Sequence, residues 1–441
     1  MGFELLVGLA GLAILIALIG IRVPIGYAMA AVGMGGIIML SGPAILLSQL
    51  KTLAYGTFSN YDMSVVPLFI LMGHLATKAQ LSQGLFRAAN AWMGRFRGGV
   101  AMAAIAACAG FGAVSGSSLA TASTMGKVAL PELRRYNYSP SLATGTLAAG
   151  GVLGILIPPS VVLVVYAVIV EANIVTMFSA ALIPGLLAVT FFIAVIAIYT
   201  TVRPEAGPKG AAVDRQELVS ASIGVIPVVV VFGLVIGGIY AGLFTPTPAA
   251  AIGVFMVLIY GLARRLVTRQ DIVDSILETA KTAGMIYIIL FGAELLKIFM
   301  SRGGVPQAAA EMMLNSGLTP MVILILLLVV LIVLGCLMDS LSMILLAMPF
   351  FWPVIAQLDF GMTPDETKIW FGILALIVVE LGLITPPVGM NVFVINSMAR
   401  DVPMMDTFKG ALPFFAIELV RVALLLAFPA IVLFLPQWLG N

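Results

Sequence analysis

Charged side chains are scarce in this chain. Asp, Glu, Lys and Arg make up 10% of its 441 residues, and hydrophobic residues make up 61%. Soluble domains carry about 25% charged residues, so this composition cannot cover a water-exposed surface. The mean hydropathy of +1.16 is typical of a protein whose surface largely faces a lipid bilayer. The composition excludes a soluble domain, and the net charge of +2 gives no reason to expect nucleic acid as a partner.

Cysteine and histidine are equally scarce. Cys108, Cys336 and the single histidine, His74, all lie in apolar runs. They form no cluster with metal-ligand spacing and no disulfide framework. An enzyme working inside the membrane would need a nucleophile with a base, or a set of metal ligands. We therefore expect that the protein is not an enzyme.

Long apolar runs, in contrast, are abundant. A helix needs about 20 apolar residues to cross a bilayer. The first run carries Glu4 and no basic segment, which favours a retained helix over a signal peptide. The predicted spans are roughly 3–21, 24–50, 63–80, 140–172, 174–201, 219–242, 246–263, 276–299, 366–399 and 410–436.

Two further apolar stretches, 99–133 and 320–355, are long enough to cross and return, but each is interrupted in its middle. Glycine and serine interrupt the first at 112–118, and Asp339 and Ser340 follow the interruption of the second. Irregular backbone is tolerated at membrane depth only where it is buried or lines a wet cavity. We predict that both stretches are re-entrant helical hairpins.

The positions of Lys and Arg set the orientation. Loops predicted to lie inside carry most of them, near 22, 78–97, 134–135, 203–215, 264–269 and 400–409. The predicted outside loops carry only Lys51, Lys297, Arg302 and Lys368. Positive residues accumulate on the cytoplasmic side, so we expect the first hairpin to enter from the cytoplasm and the second from outside.

The two halves of the chain repeat each other. The Pro158-Pro159 motif recurs 228 positions later as Pro386-Pro387. Each half has an odd number of predicted crossings, so the second copy is inverted in the membrane. Inverted repeats with interrupted helices are typical of secondary transporters. Three other pairs of landmarks lie 222 positions apart, namely Pro24 and Pro246, Ser118 and Ser340, and Pro131 and Pro353.

The predicted organisation follows from this repeat. The first half, 1–202, contains outer helices in 1–80, a hairpin at 99–133 and a broken helix at 140–172. A cytoplasmic linker occupies 203–217. The second half, 218–441, contains outer helices in 219–299, a hairpin at 320–355 and a broken helix at 366–399.

The interrupted segments offer oxygen ligands. Proline lacks an N–H and clashes with the carbonyl four residues earlier, and a carbonyl left without a donor in the membrane needs water, a hydroxyl or a cation. Sodium favours a cage of oxygens, and the N-termini of half-helices attract a carboxylate. Alternatively, the serine-rich turns are close-packing devices and the Pro-Pro motifs are kinks. The carbonyls freed in this way are those of Gly154, Ile155, Gly382 and Leu383.

The candidate ligands follow. The predicted sodium ligands are Ser115, Ser117, Ser118, Gly154 and Pro158 in the first half, and Gly335, Met338, Asp339, Ser340, Gly382, Thr385 and Pro386 in the second. The predicted substrate ligands are Ser117, Ser118, Ser160 and Asn391.

Other charged residues in the spans receive structural assignments. Glu418 and Arg421, three residues apart on the last span, are predicted to pair. Lys281 is predicted to extend its amine toward an interface. The residues expected near membrane interfaces, outside the site, are Asp62, Glu171, Glu294 and Glu380.

Four motifs follow one another along the chain. They are Ser-Gly-Ser-Ser-Leu-Ala-Thr at 115–121, Gly-Ile-Leu-Ile-Pro-Pro-Ser at 154–160, Gly-Leu-Phe-Thr-Pro-Thr at 242–247 and Gly-Leu-Ile-Thr-Pro-Pro-Val-Gly at 382–389. In this order they resemble the large membrane subunit of tripartite ATP-independent periplasmic (TRAP) transporters, the DctM type, and the resemblance runs over essentially the whole chain. The sequence departs from the family pattern at Pro248, where Glu is usual, which puts a role of that turn in gating or folding in doubt.

The resemblance implies an all-α polytopic protein of the bacterial inner membrane, with an inverted-repeat, elevator-type fold that contains two re-entrant hairpins and two broken helices. It implies sodium coupling, with one ion near each hairpin tip, and uptake of a small organic acid. It also implies two partners, a separate small four-helix membrane subunit and a periplasmic substrate-binding protein.

Two alternatives to this function differ in mechanism. A stand-alone sodium/anion symporter of a related elevator fold would work without a binding protein. A passive channel is disfavoured because closed hairpin tips suit occlusion better than a continuous pore.

Overall fold

The computed structural model describes residues 2–211, 213–314 and 317–440. Residues 1 and 441, at the ends of the predicted halves, and residue 212, in the predicted linker, lie outside this description. Over the described ranges the chain folds into α-helices, two short 3-10 turns and connecting loops, without a β-strand. The expected all-α class is confirmed.

Ten helices form the first half of the chain. They are α1 (Phe3–Gly20), α2 (Ile25–Ser41), α3 (Pro43–Phe58), α4 (Val65–Lys78), α5 (Leu81–Met93), α6 (Gly99–Ser115), α7 (Ser118–Arg135), α8 (Pro140–Leu156), α9 (Val161–Val170) and α10 (Ile174–Val202).

The described part of the second half contributes ten more. They are α11 (Arg215–Tyr240), α12 (Pro246–Ala263), α13 (Arg269–Arg302), α14 (Val305–Leu314), α15 (Pro320–Gly335), α16 (Ser340–Ile355), α17 (Pro364–Gly382), α18 (Met390–Met398), α19 (Met404–Ala427) and α20 (Ala430–Leu439).

Several of these helices match the thickness of a membrane. In the described ranges, six are long and apolar enough to cross a bilayer, namely α1, α10, α11, α12, α13 and α19. The number rises to eight if two bent pairs each count as one span. One of these pairs, α8 with α9, is bent by 46° where the first Pro-Pro motif interrupts it.

Both predicted hairpins are present. Helices α6 and α7 form hairpin 1, and α15 and α16 form hairpin 2. The turn of hairpin 1 depends on Gly116, whose φ of +61° lies in the left-handed region that favours glycine. We call residues 115–118 tip 1 and residues 336–340 tip 2. Both predicted broken helices are also present, as α8 with α9 and α17 with α18, and the Pro-Pro bond is cis in each.

Two predicted spans are wrong. The run 24–50 forms two helices, because Gly42 adopts a φ of +83° and Pro43 starts the next helix. The run 410–436 is divided between α19 and α20, which are separated by Phe428 and Pro429. A smooth apolar run does not reveal such corners, because hydropathy does not report backbone direction.

Two helices were not predicted at all, α5 and α14. Helix α5 packs Leu81, Leu85 and Ala88 inward and lies against α6 and α11. Its other face is polar, so its sequence contains no continuous apolar run.

The departure from the family pattern at Pro248 falls in the first turn of α12. A backbone amide in the first turn has no partner within the helix, so proline fits there.

The two halves pack reciprocally. Helix α9 lies against α16 of hairpin 2, and α18 lies against α7 of hairpin 1. Likewise α2 of the first half packs on α13, and α12 of the second half packs on α4. The contacts between the two halves therefore come in corresponding pairs, in which the halves exchange places.

Glycines bring each hairpin against the broken helix of its own half. A Cβ atom on Gly154 would lie 2.6 Å from the Ser117 carbonyl oxygen, and one on Gly382 would lie 2.5 Å from the Gly335 carbonyl carbon. Such contacts require small residues. They place each tip beside the break of the neighbouring helix.

Candidate functional site

Two cavities adjoin the hairpin tips. Cavity 1, of about 400 Å³, lies between tip 1 and the outer helices α4 and α13. Cavity 2, of about 710 Å³, lies between tip 2, the start of α2 and another face of α13. Asp339, Met285 and Met390 line both cavities, so the two spaces adjoin at tip 2. Both have the size of a small-molecule site.

Hydroxyl groups form the tip 1 wall of cavity 1. Ser115 Oγ and Thr121 Oγ1 lie 2.8 Å apart in a hydrogen bond. Ser117 Oγ accepts a hydrogen bond from the Ala120 amide (3.4 Å) and begins α7. Ser115, Ser117 and Ser118 all line the cavity, so the predicted ligands of tip 1 lie together on its surface.

Asp339 is the carboxylate of tip 2. Its Oδ2 accepts a hydrogen bond from the Ser342 amide (3.1 Å) and caps α16. The side chain faces both cavities. Asp339 therefore combines a capping role with a position where a cation could reach its other oxygen.

Glu380 joins the two tips, and the sequence did not reveal this. Glu380 is fully buried on α17 and contacts both tips, so the expectation that it lies outside the site is wrong. Ser118 Oγ donates to its Oε2 (2.5 Å), and Ser340 Oγ donates to its Oε1. Ser118 and Ser340 are the pair that the internal repeat relates, so one carboxyl group holds equivalent hydroxyls of both hairpins.

A signal for Glu380 was available. An ionisable residue inside a membrane span marks a functional position by default. Glu380 interrupts the apolar run of α17, and the residue 228 positions earlier is Val152. The acid thus breaks the internal repeat in the segment that follows hairpin 2.

The Pro-Pro breaks differ in how their carbonyls are satisfied. The Leu383 carbonyl accepts from the Asn391 amide (3.0 Å), and the Gly382 carbonyl accepts from the Thr385 amide (3.0 Å). The expectation that these two carbonyls need water, a hydroxyl or a cation is therefore wrong, because the chain folds back onto them. Among the described residues, none donates a hydrogen bond to the carbonyls of Gly154 or Ile155.

Two of the predicted substrate ligands are not in either cavity lining. Ser160 is buried, and its Oγ accepts from the Leu163 amide (3.5 Å) to begin α9. Asn391 is buried, and its Nδ2 donates to the Ala148 carbonyl (3.3 Å). Both side chains support the broken helices from behind.

The other predicted sodium ligands surround the tips. Met338 lines cavity 2. Thr385 Oγ1 donates to the Leu381 carbonyl (2.6 Å). Pro386 is exposed, whereas its repeat partner Pro158 is buried. The glycines that pack hairpins against broken helices, Gly154, Gly335 and Gly382, do not line either cavity.

The outer helices add a pair of polar side chains to cavity 1. His74 of α4 lines the cavity, and its Nδ1 lies 3.2 Å from Glu278 Oε2 of α13. The sequence places His74 in an apolar run, and Glu278 lies too far along the chain for the contact to be predicted. The pair connects the two outer helices that face tip 1.

Both cavities lie beside the middle of α13. They touch residues between 280 and 289 of this helix, which runs from Arg269 to Arg302. The arrangement places both tips opposite the middle of an outer helix that is long enough to cross a membrane.

Sequence comparisons identify relatives of the chain. The family model described as "Tripartite ATP-independent periplasmic transporter, DctM component" matches residues 12–431. The C4-dicarboxylate TRAP transporter large permease protein DctM of Pseudomonas aeruginosa is 34% identical, and the match covers 88% of each chain. The sialic acid TRAP transporter large permease protein SiaM of Vibrio cholerae is 30% identical over 94% of this chain and 95% of its own.

The fold has a solved counterpart as well. The YdaH transporter of Alcanivorax borkumensis superposes with a TM-score of 0.64 at 14% identity, over 90% of this chain and 89% of its own. That likeness concerns the fold alone. The family model, the two permeases and the membrane-length helices agree, and the chain therefore belongs to the DctM family, the multi-pass large permease component of TRAP transporters.

Proposed function

We propose that this permease takes up a small organic anion, a carboxylate, across a bacterial inner membrane and that an inward sodium gradient drives the uptake. The observation that carries the proposal is the meeting of two hairpin tips beside adjoining cavities. The tips present hydroxyl groups and the Asp339 carboxylate. Such a surface can hold a cation and an organic anion together.

The proposed substrate class is supported by the substrates for which related permeases are named and by the size of cavity 1. The permeases from P. aeruginosa and V. cholerae are named for C4-dicarboxylates and for sialic acid, both of which carry carboxylate groups. Cavity 1 has room for a molecule of that size.

The proposed sodium sites differ between the two tips. At tip 1 the ligands are neutral oxygens, those of Ser115 and Ser117 and the carbonyl of Gly154. At tip 2 the ligands include Asp339 and Ser340. The carbonyls of Gly382 and Leu383 at the second break already accept hydrogen bonds from backbone amides. The formal charge of Asp339 therefore contributes more to the second site than those carbonyls do.

An elevator motion is the proposed mechanism. Hairpins 1 and 2 and the broken helices would move together as the carrier, because glycine contacts and Glu380 join them. The helices α2, α4, α12 and α13, which pack pairwise across the halves, would form the fixed frame. A small membrane subunit and a periplasmic binding protein complete the proposed transporter, as membership of the family implies.

Reconstitution tests this function. We expect the purified chain alone to give little uptake of succinate into proteoliposomes. Adding its small subunit, its binding protein and an inward sodium gradient should raise uptake at least about tenfold, and dissipating the gradient should abolish accumulation. Robust sodium-driven uptake without the binding protein would instead establish a stand-alone symporter, and uptake indifferent to sodium would indicate a channel.

Asp339→Asn separates charge from capping. Asparagine caps a helix about as well as aspartate, so the variant should fold normally. Interactions with a charged group contribute roughly 1.5–3 kcal/mol, so the sodium concentration for half-maximal uptake should rise about tenfold or more. Sodium titration of uptake measures this.

Two variants control for other effects of this substitution. Ser117→Ala, at the neutral tip, should give a milder change. Asp214→Asn alters another capping aspartate, which bonds the Glu217 amide (2.7 Å) far from the cavities, and should leave sodium dependence unchanged. If Asp339→Asn also leaves it unchanged, Asp339 is a cap and not a sodium ligand.

A further inference from the structure

Cavity 2 contains two basic side chains that the proposed sodium and substrate ligands leave unused. Lys281 of α13 and Arg22, after α1, both line it, as does Asp339 of tip 2. Both are exposed. Within the described ranges, neither takes part in an ion pair or a side-chain hydrogen bond.

Lys281 lies on the face of α13 that lines cavity 2 and not on the face that lines cavity 1. Lys281, Gly284 and Ile288 line cavity 2, whereas Thr282 and Ile286 line cavity 1. Residues three and four apart share a helix face, so α13 directs its lysine to one cavity only. The apolar run that contains Lys281 makes an unpaired charge costly there, unless water or an anion compensates it.

Arg22 approaches the same space from the end of α1. Its backbone φ of +68° is unusual for a residue with a side chain. A guanidinium binds a carboxylate through two parallel hydrogen bonds, while an ammonium acts as a compact charge. The two groups together suit a carboxylate better than a neutral ligand.

We propose that Lys281 and Arg22 form an anion-binding position in cavity 2, where the outer helices hold a carboxylate group of the substrate on its way between tip 2 and the cytoplasm. The proposal rests on the proposed function for the identity of its ligand. The positive groups belong to the outer helices, and Asp339 belongs to the hairpin. An anion released beside Asp339 therefore moves from a negative group toward two positive ones.

Thiol labelling tests the position without transport. A Cβ atom on Gly284 meets nothing within 4 Å, so Gly284→Cys should fold, and Cys108 and Cys336 are buried. The rates of modification by an anionic and by a cationic methanethiosulfonate reagent report the local potential. Lys281→Gln should lower the anionic-to-cationic rate ratio about threefold or more, since the charge acts across a few ångströms of water. Lys281→Arg should keep the ratio.

Competition with labelling distinguishes a substrate carboxylate from a lipid headgroup as the bound anion. Succinate should slow anionic labelling of Gly284→Cys in wild-type background and lose this effect with Lys281→Gln. A lipid headgroup offers a similar anion, so the assay is repeated in liposomes with and without phosphatidylglycerol. Slowing by phosphatidylglycerol but not by succinate would overturn the substrate assignment, and an unchanged ratio in Lys281→Gln would overturn the position itself.

Transport gives the second measurement. In the complete reconstituted transporter, with succinate supplied on the cytoplasmic face, Lys281→Gln should raise the half-saturating succinate concentration about fivefold. The half-saturating sodium concentration should not rise, because loss of a positive charge cannot weaken cation binding at Asp339, and Lys281→Arg should restore the wild-type succinate value. Lys51→Gln, on exposed α3, serves as the control.

The two hypotheses fail separately. If the wild type does not transport succinate, the proposed function fails for this substrate and the labelling ratio still tests the cationic position. If the wild type transports and Lys281→Gln shows the same succinate dependence, the anion-binding position is refuted while the proposed function stands.

Discussion

An Arg421→Met variant is expected to yield little folded protein. Arg421 and Glu418 are both fully buried. Arg421 Nε donates to Glu418 Oε2 (3.0 Å), Nη2 donates to the same oxygen, and Nη1 donates to the Pro184 carbonyl (2.8 Å) of α10. Removing the guanidinium leaves the Glu418 carboxylate buried without its cation, which costs about 3–5 kcal/mol.

Two further variants make this result specific. Glu418→Gln combined with Arg421→Met removes both charges and should recover much of the stability, because a buried ion pair can be replaced by neutral groups at small cost. Arg135→Met removes another i,i+3 pair, with Glu132, in which the arginine side chain is 71% exposed, and should change stability little. The thermal unfolding midpoint in detergent measures all three. Equal midpoints for Arg421→Met and Arg135→Met would show that burial of the pair contributes nothing.

The Glu418–Arg421 pair also shows what sequence can establish. Its spacing of three residues on one apolar span predicted the contact, because helix geometry alone brings such side chains together. The third partner, the Pro184 carbonyl, lies on another helix, and no local pattern announces it. The pair is therefore predictable as a pair, and its role in joining α19 to α10 is not.

The site likewise combines features that could be predicted from the sequence with contacts that could not. Tips 1 and 2 and both broken helices could be predicted, since Gly, Ser and Pro interrupt apolar runs at repeated positions. The amide that satisfies the Leu383 carbonyl comes from Asn391, after the chain has turned back at Gly389, whose φ is +59°. Such a return depends on backbone dihedrals that a proline pattern does not specify.

Glu380 is the clearest example of a site residue whose role could not be predicted from the sequence. That role depends on two contacts, one with Ser118, 262 residues away along the chain, and one with Ser340, 40 residues away. Sequence periodicity describes neighbours within a helix, not hydroxyls delivered from two hairpins. The broken repeat at Val152 could have singled out Glu380, but only the packing of both hairpins shows what it binds.

Removing both hydroxyls that bind Glu380 is expected to destabilise the protein by more than the sum of the two single changes. Ser118→Ala or Ser340→Ala alone leaves one carboxyl oxygen without its donor, and each should cost about 1–3 kcal/mol. The double variant strands a fully buried carboxyl group without either side-chain donor, which costs more than a partly satisfied one. Unfolding midpoints in sodium-free choline buffer measure the effect apart from ion binding.

The same serine substitutions in a Glu380→Leu variant test the contribution of the carboxyl group. In Glu380→Leu the acceptor is gone, and replacing both partners of a buried hydrogen bond by apolar groups is nearly neutral. Ser118→Ala and Ser340→Ala should therefore be additive and small there. Ser342→Ala, two residues beyond Ser340 on the same buried turn, gives the cost of losing a hydroxyl that does not bind Glu380. Additive losses in the wild-type background, equal to those in Glu380→Leu, would mean that the carboxyl group does not join the two hairpins; a synergy confined to the wild-type background requires that it does.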